Sequence, residues 1–274
     1  MTADVGMFRI VLNKMKNNRG IALLIVLLVT ALLIALIFEF AYATRISLNS
    51  AVNFRDSQRA YFLARSGIYA FIKYGDLKKN IPQGEWSIVP LISEGDTLVR
   101  IMWEDEQGKI NISRIRRAGG AFNPTYNWLV QLFTNKSIDQ SILDKISDDQ
   151  RILYLPAELH QVMTDEDFTK LEKYVTTMTT MIDKININTA SREVLESLGI
   201  NGADSIVSAR ERQPFSQISD VRSIMQIDDV LAGYLTYSST IYKVYAYATV
   251  GGYTKRIEAI VNTSDGSILY WRAL

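Results

Sequence analysis

The sequence predicts an α+β protein: one long N-terminal helix packed on an antiparallel sheet, with a large all-α segment inserted in the sheet. Three observations carry this. From Ile21 to Phe38 the only polar side chain is Thr30, and the first proline of the chain is Pro82. Strand-like apolar runs stand on either side of the chain's middle, at Trp86 to Trp103 and again, rich in Val, Ile and Tyr, from Ile241 to Trp271. Between them, from about Ile115 to Leu235, the texture turns helical.

The apolar run comes first. A helix of about 18 to 20 apolar residues crosses the hydrocarbon core of a bilayer, about 30 Å at about 1.5 Å per residue. Arg9, Lys14, Lys16 and Arg19 precede it, opposed only by Asp4. Basic residues beside a span stay cytoplasmic, so the long C-terminal part is expected on the other side of the membrane. Three readings of the basic stretch and the run compete. One is an uncleaved signal anchor. Another is a secretory signal cut after Ala41-Tyr42-Ala43, although an apolar core of this length exceeds the usual removed signal. The third is a prepilin-type leader, residues 1–20, cut between Gly20 and Ile21 with the helix retained. The charged stretch ending in Gly directly before the run favours the third.

The helical pattern continues past the span. Phe54, Tyr61, Ala64, Ile68, Phe71 and Ile72 recur at helical spacings, with Arg55, Arg59, Arg65 and Lys73 largely off that stripe. One helix over 21–74 is expected, ended by Gly75 and Pro82. A first part of the sheet is expected over 75–114, with strands at Trp86 to Ile92 and Thr97 to Trp103. A helical domain is expected over 115–237 and closing strands over 238–274. Thr164, followed by Asp165, Glu166 and Asp167, has the chemistry of a helix N-cap. Gly251-Gly252, between two strand-like runs, has that of a hairpin turn.

Composition excludes several chemistries. The 274 residues hold no cysteine, so thiol nucleophiles, disulfides and cysteine-based metal sites are out. The one histidine, His160, excludes a two-histidine metal motif and reads as a helix-surface residue. A net charge of +1 gives no global field toward nucleic acid. Paired carboxylates are plentiful, but none is tied to a pocket, so no enzyme is supported. Asp139, Asp144, Asp148, Asp149, Asp165, Glu166 and Asp167 would supply oxygen ligands for calcium, yet they lack EF-hand spacing. Helix caps and solvated loop charges account for them more simply.

Lys184-Ile-Asn-Ile-Asn-Thr-Ala-Ser, with Gly199-Ile-Asn-Gly202 and Ala203 to Arg210, looks like a helix-hairpin-helix module. In DNA-binding versions the hairpin offers backbone N–H groups to a phosphate, with basic side chains nearby. Between Lys184 and Asp228 the acids outnumber the bases by one, which is the wrong balance for phosphate. Nucleic acid is therefore not the expected ligand, and a structural helical module is the simpler reading.

Taken in order, several segments resemble the minor pseudopilin K (GspK) family of the bacterial type II secretion system. They are Arg19-Gly20, the helix from Ile21, Gln58-Arg-Ala-Tyr-Phe-Leu-Ala-Arg-Ser-Gly67, Asp105-Glu-Gln-Gly-Lys-Ile-Asn-Ile-Ser113, Lys184 to Ala190, and Ile268-Leu-Tyr-Trp-Arg272. The resemblance implies a type IV pilin-like fold interrupted by a helix-hairpin-helix, SAM-like domain. It implies cleavage between Gly20 and Ile21 and N-methylation of Ile21 by the prepilin peptidase. It implies a single-pass inner-membrane protein with a periplasmic C-terminal part. The implied partners are minor pseudopilins I and J in a tip complex, the other pseudopilins, and the secreted exoproteins whose export the pseudopilus drives.

Most pilins carry a glutamate five residues into the mature helix, and here Ile25 stands there. In a stack that carboxylate meets the α-amino group of the subunit above, in lipid where an unpaired charge costs several kcal/mol. A tip subunit has no neighbour above it, so Ile25 marks that position. The family's Asp-Trp-hydrophobic-Asp segment, linked with calcium, is replaced by Asp144-Lys-Ile-Ser147, so no metal ligands are assigned and no cofactor is expected. Two other readings remain: a membrane-anchored helix-hairpin-helix DNA receptor for DNA uptake, and a minor pilin of a type IV pilus.

Overall fold

The computed structural model describes residues 4–90, 95, 97–115, 124–148, 153, 156–177 and 184–274. The chain forms two units, Met1–Arg59 and Ala60–Leu274. Helix α1, Asp4–Lys73, contributes to both. It starts well before the apolar run because nothing between Asp4 and Gly20 breaks a helix: there is no proline, and an isolated glycine costs only about 1 kcal/mol.

In the first unit every residue from Gly20 to Ala51 is exposed. Thr30 and Thr44 fold their hydroxyls back onto the carbonyls of Leu27 and Phe40, at 3.0 and 2.8 Å, so neither is an unmet donor. Among the described residues this is the one helix long and apolar enough to cross a membrane.

In the second unit the end of α1 presents Ala60, Ala64, Gly67, Ile68 and Phe71 as one buried stripe. Their spacing of three and four residues places them on one helix face. That face meets a five-stranded antiparallel sheet in the order β1-β2-β7-β8-β9. The strands are β1 (Ser87–Ile88), β2 (Leu98–Asp105), β7 (Ile241–Val250), β8 (Tyr253–Asn262) and β9 (Ile268–Ala273). Val99, Ile101, Val244, Ala246, Ala248, Ile257, Ala259 and Val261 fill the inner face with Ile68 and Phe71. Burying an Ile or a Phe of this kind contributes about 1.5–3 kcal/mol. A Cβ on Gly67 would lie 3.3 Å from Ile101 Cγ2 and from Val99 Cγ1, so the helix sits as close to the sheet as a glycine allows.

The strand expected at Trp86 to Ile92 pairs only at Ser87–Ile88, with one further bond from Val89 N to Val99 O at 2.9 Å. Pro90 has no N–H to extend the ladder, and positions 91 and 92 lie outside the described residues. The second strand instead runs beyond Trp103, through Glu104 to Asp105. Gly251 and Gly252 take positive φ in the turn joining β7 and β8, as the hairpin spacing predicts.

Everything between β2 and β7 is inserted at one place on the sheet. These two strands are neighbours, with Asp105 opposite Tyr242, so the insertion leaves and re-enters at adjacent points. Its ends are closed by the ladder, and its length adds little strain to the sheet. The insertion has its own core, in which Ile110, Leu129, Leu132, Phe133, Leu143, Leu171, Leu195 and Ile206 are buried. Helices α3 (Pro124–Asn135), α4 (Ser141–Asp148), α5 (Asp165–Leu171), α6 (Arg192–Ser197) and α7 (Ala203–Arg212) surround it. Thr164, Ser191 and Asp228 cap helix starts by accepting from Asp167 N, Val194 N and Leu231 N. Two parallel pairs, absent from the sequence reading, stitch the insertion together. Ile110–Asn111 (β3) pairs with Val175–Thr176 (β4), and Ile185–Asn186 (β5) with Leu235–Thr236 (β6).

The close approach at Gly67 makes a direct prediction. Gly67→Val should destabilise the folded protein by about 1–3 kcal/mol through overpacking. Gly75→Ala should be within about 0.5 kcal/mol of neutral, since nothing lies within 4 Å of its Cβ position. Chemical unfolding of the two variants beside the parent chain measures the difference, and equal midpoints would contradict the packing described.

Candidate functional site

Two places concentrate the residues singled out by sequence. The first is the start of the apolar helix. Gly20 lies inside α1 with nothing within 4 Å of its Cβ position, and Ile21 and Ile25 are exposed at 56 % and 55 %. The next carboxylate after Ile21 is Glu39, 18 residues on (39 − 21), which at the helical rise is about 27 Å away. No acidic side chain therefore accompanies Ile25 in the span. The side chains of Arg9, Lys14, Lys16 and Arg19 lie outside the described residues, as do residues 1–3.

The second place is where the insertion joins the sheet. Asp105, the last residue of β2, is 1 % exposed and receives four hydrogen bonds. Its Oδ1 accepts from Gln107 N at 2.8 Å. Its Oδ2 accepts from Asn186 Nδ2 at 3.0 Å, Thr189 Oγ1 at 2.6 Å and Ser239 Oγ at 2.5 Å. Burial pushes the carboxyl's pKa up, and the four donors oppose that shift without cancelling it. Gln107 completes the junction from the next turn: its Oε1 accepts from Thr240 N at 2.6 Å and Ile241 N at 3.2 Å. Tyr242 donates to Ser239 O at 2.5 Å and stacks edge-on with Phe71 and Trp103, so the junction also touches the end of α1.

Beside it Lys109 bridges Glu104 at 2.9 Å and Glu106 at 2.8 Å, and Glu106 in turn accepts from Thr176 Oγ1 on β4. Burial alone would lower Lys109's pKa, but the charges of Glu106 and Glu104 outweigh it and hold the ammonium charged throughout the ordinary range. Burial likewise acts to raise Glu104's pKa, and Lys109's charge and hydrogen bond reverse it to a net lowering. Gly108 is tight against the other side of the junction. A Cβ there would stand 2.9 Å from Thr189 Oγ1 and 3.1 Å from Thr189's carbonyl, so only glycine fits.

Asp105 to Lys109 and Ile185 to Ala190, two of the segments noted from sequence, are thus opposite walls of one buried polar joint. The asparagines of the second segment are structural. Asn186 Oδ1 accepts from Asn188 N at 3.0 Å, and Asn188's amide bonds Phe215 O, Tyr237 O and Phe215 N. Sequence reasoning noted the segments of Asp105 and Asn186 but not that they meet each other and Ser239, since the three are far apart along the chain.

The hairpin between α6 and α7 has Gly199 and Gly202 at φ of 81° and 103°. Two of its bases are committed elsewhere. Arg210 donates to Ile187 O at 2.7 Å and Ala190 O at 2.6 Å, while Arg192 pairs with Glu196 at 2.8 Å and Asp204 at 3.2 Å. The acids weighed for calcium are dispersed: Asp139 caps Ser141, Asp144 accepts from Tyr126, Asp165 meets His160, and Glu166 and Asp167 meet Lys170. The side chain of Asp148, and all of Asp149, lie outside the described residues. Among the described residues no three His, Asp or Glu side chains converge as a metal site.

Comparison with known proteins bears on this architecture. Residues 185–236 match the family model described as "Type II secretion system (T2SS), protein K". The matched stretch begins on β5 and ends on β6, so it spans the helix-hairpin-helix part of the insertion. No curated protein matches the chain. Among solved structures, a chain of the crystal structure of the GspK-GspI-GspJ complex from the enterotoxigenic Escherichia coli type 2 secretion system is similar to it. The TM-score is 0.63 at 12 % identity, over 82 % of this chain and 98 % of that one. The fold is therefore that of a long-helix, antiparallel-sheet α+β protein with an inserted helical domain, shared with that chain.

The joint makes three predictions. Asp105→Ala leaves three side-chain donors and a backbone N–H unmet, at about 1–3 kcal/mol for each that stays dry. It should lower the unfolding midpoint far more than Asp139→Ala at the exposed start of α4. Lys109→Met should cost about 3–5 kcal/mol by stranding Glu104 and Glu106. The lowered pKa of Glu104 contributes stability that is present above the ordinary glutamate value, about 4.3. It is lost as pH falls through the lowered one. Glu104→Gln should therefore flatten the fall in stability between about pH 5 and pH 3. An unchanged acid limb in urea titrations would contradict the pairing.

Proposed function

We propose that this chain is the minor pseudopilin K of a type II secretion system, a structural subunit and not an enzyme. In this reading the prepilin peptidase cuts between Gly20 and Ile21 and methylates the new amino group of Ile21. The retained helix anchors the protein once in the inner membrane, and residues beyond it are periplasmic. The subunit sits at the pseudopilus tip with minor pseudopilins I and J and primes assembly of the filament that exports folded proteins. The observation that carries the reading is the combination in one chain of two features. One is an apolar helix with Ile25 and no carboxylate before Glu39; the other is a sheet interrupted between β2 and β7 by a helix-hairpin-helix domain. A family match within that domain and the shared fold support it.

The tip assignment rests on charge. In a stack the α-amino group of the subunit above needs, in lipid, a carboxylate from the subunit beneath it, and Ile25 offers none. A subunit with Ile25 fits where no amino group has to be met. Arg210 and Arg192 are spent on backbone carbonyls and local acids and are not free to meet a phosphate.

N-terminal sequencing of the membrane-extracted protein, in cells holding the secretion genes, tests the proposal. The expected start is N-methylated Ile21. A mature chain starting at Thr44, or one that never co-purifies with minor pseudopilins I and J, would sink it.

A further inference from the structure

The sheet has a second face, turned away from α1. Strand alternation places Leu98, Arg100 and Met102 of β2, Lys243, Tyr245, Tyr247 and Thr249 of β7, and Thr254, Arg256 and Glu258 of β8 on it. Register with β8 adds Tyr270 and Arg272 of β9. This face is built as a ladder of rings and cations. Trp86 stands edge-on to Tyr247 at 4.6 Å between centroids. The Arg256 guanidinium lies 5.5 Å from the Tyr247 ring and 5.1 Å from the Tyr245 ring, and Lys243 lies 5.1 Å from the far side of the series at Tyr245. A groove of about 370 Å³ opens beside it, lined by Trp86, Leu98, Arg100, Tyr247, Thr249 and Thr254.

The charges on this face do not balance. Its two acids are taken: Glu104 by Lys109 at 2.9 Å and Glu258 by Lys243 at 2.8 Å. Among the described residues Arg100, Arg256 and Arg272 have no carboxylate partner, and Arg256 Nε is buried with no acceptor. Trp86 is 41 % exposed, and Arg100 and Arg272 are exposed. An isolated surface arginine is ordinary. Here three stand on one face whose own two acids are already paired, around an exposed tryptophan and a groove, which leaves that face net positive.

We propose that this outward sheet face is a docking surface for an extended, carboxylate-bearing segment of a partner protein. Arg100 and Arg272 would meet its acidic side chains, and Trp86 with the groove on the other side of Arg100 would take an apolar ring. Guanidinium groups bind carboxylates in a planar fork, and exposed Trp beside Arg is the usual make-up of an interface anchor. Single-stranded nucleic acid, the other polyanion that aromatic sheets hold, fits less well. Bases need open ring faces, whereas Tyr245 is 9 % exposed and Tyr247 is already covered by Trp86 and Arg256.

The test uses the full chain in detergent micelles and a fluorescently labelled Glu-Pro repeat peptide, with a Gln-Pro peptide and oligothymidylate as comparisons, read by anisotropy. Saturable, salt-sensitive binding of the Glu-Pro peptide is expected. Arg100→Ala with Arg272→Ala should weaken it at least about tenfold, and Trp86→Ala should weaken it as well. Arg59→Ala with Arg212→Ala, on other surfaces, should leave it unchanged. Circular dichroism confirms that each variant is folded, which exposed positions permit. Equal binding of the Gln-Pro peptide, preference for oligothymidylate, indifference to the Arg100 and Arg272 changes, or no binding up to about 1 mM peptide would each overturn the proposal.

Discussion

The buried carboxylate of Asp105 is the constraint on which the rest of the second unit depends. It ends β2 at the point where the chain leaves the sheet, and it is held by donors from two distant places, Asn186 and Thr189 in the insertion and Ser239 at its exit. An unpaired charge at such a site is costly, so the native arrangement is the one that supplies every donor at once. The same carboxylate fixes where Ser239 lies and Gln107 fixes Thr240, and together they set where β7 re-enters beside β2. A sheet can carry a domain in its middle only if the two crossing points stay together. Here a ladder and a polar joint both hold them.

The joint also explains why its residue types are as they are. Gly108 leaves room for the Thr189 backbone, Asn186 donates to Asp105 while accepting from Asn188, and Lys109 neutralises two glutamates that face the insertion. Each substitution would leave a polar group unmet or bring atoms into collision. These are structural demands, which is why the motif resembling a phosphate-binding hairpin does not need free cations around it.

The first unit obeys a different constraint. In lipid the cheapest side chain is an apolar one, and from Ile21 to Phe38 only Thr30 departs from that, with its hydroxyl returned to the helix. For the proposed reading, what makes this helix informative is that Ile25 carries no charge. The outward face of the sheet is the opposite case, a place where charge is present and unmatched.

The sequence by itself determined the long helix, its stripe of Ala64, Ile68 and Phe71, the Thr164 cap, the turn at Gly251-Gly252 and the helical character of the insertion. Periodicity and capping are local signals, readable within a few turns of helix or one hairpin. Tertiary structure alone decided the pairs Ile110 with Val175 and Ile185 with Leu235, which are two residues long and too short to leave a period. It alone decided the end of β1, where Pro90 overrode a run of apolar residues, and the extension of β2 to Asp105. It alone revealed that Arg210 spends its charge on Ile187 and Ala190 and that Asp105 is a joint. The physical reason is the same throughout: a buried polar group is defined by the partners that fold around it, and those come from parts of the chain that local sequence does not connect.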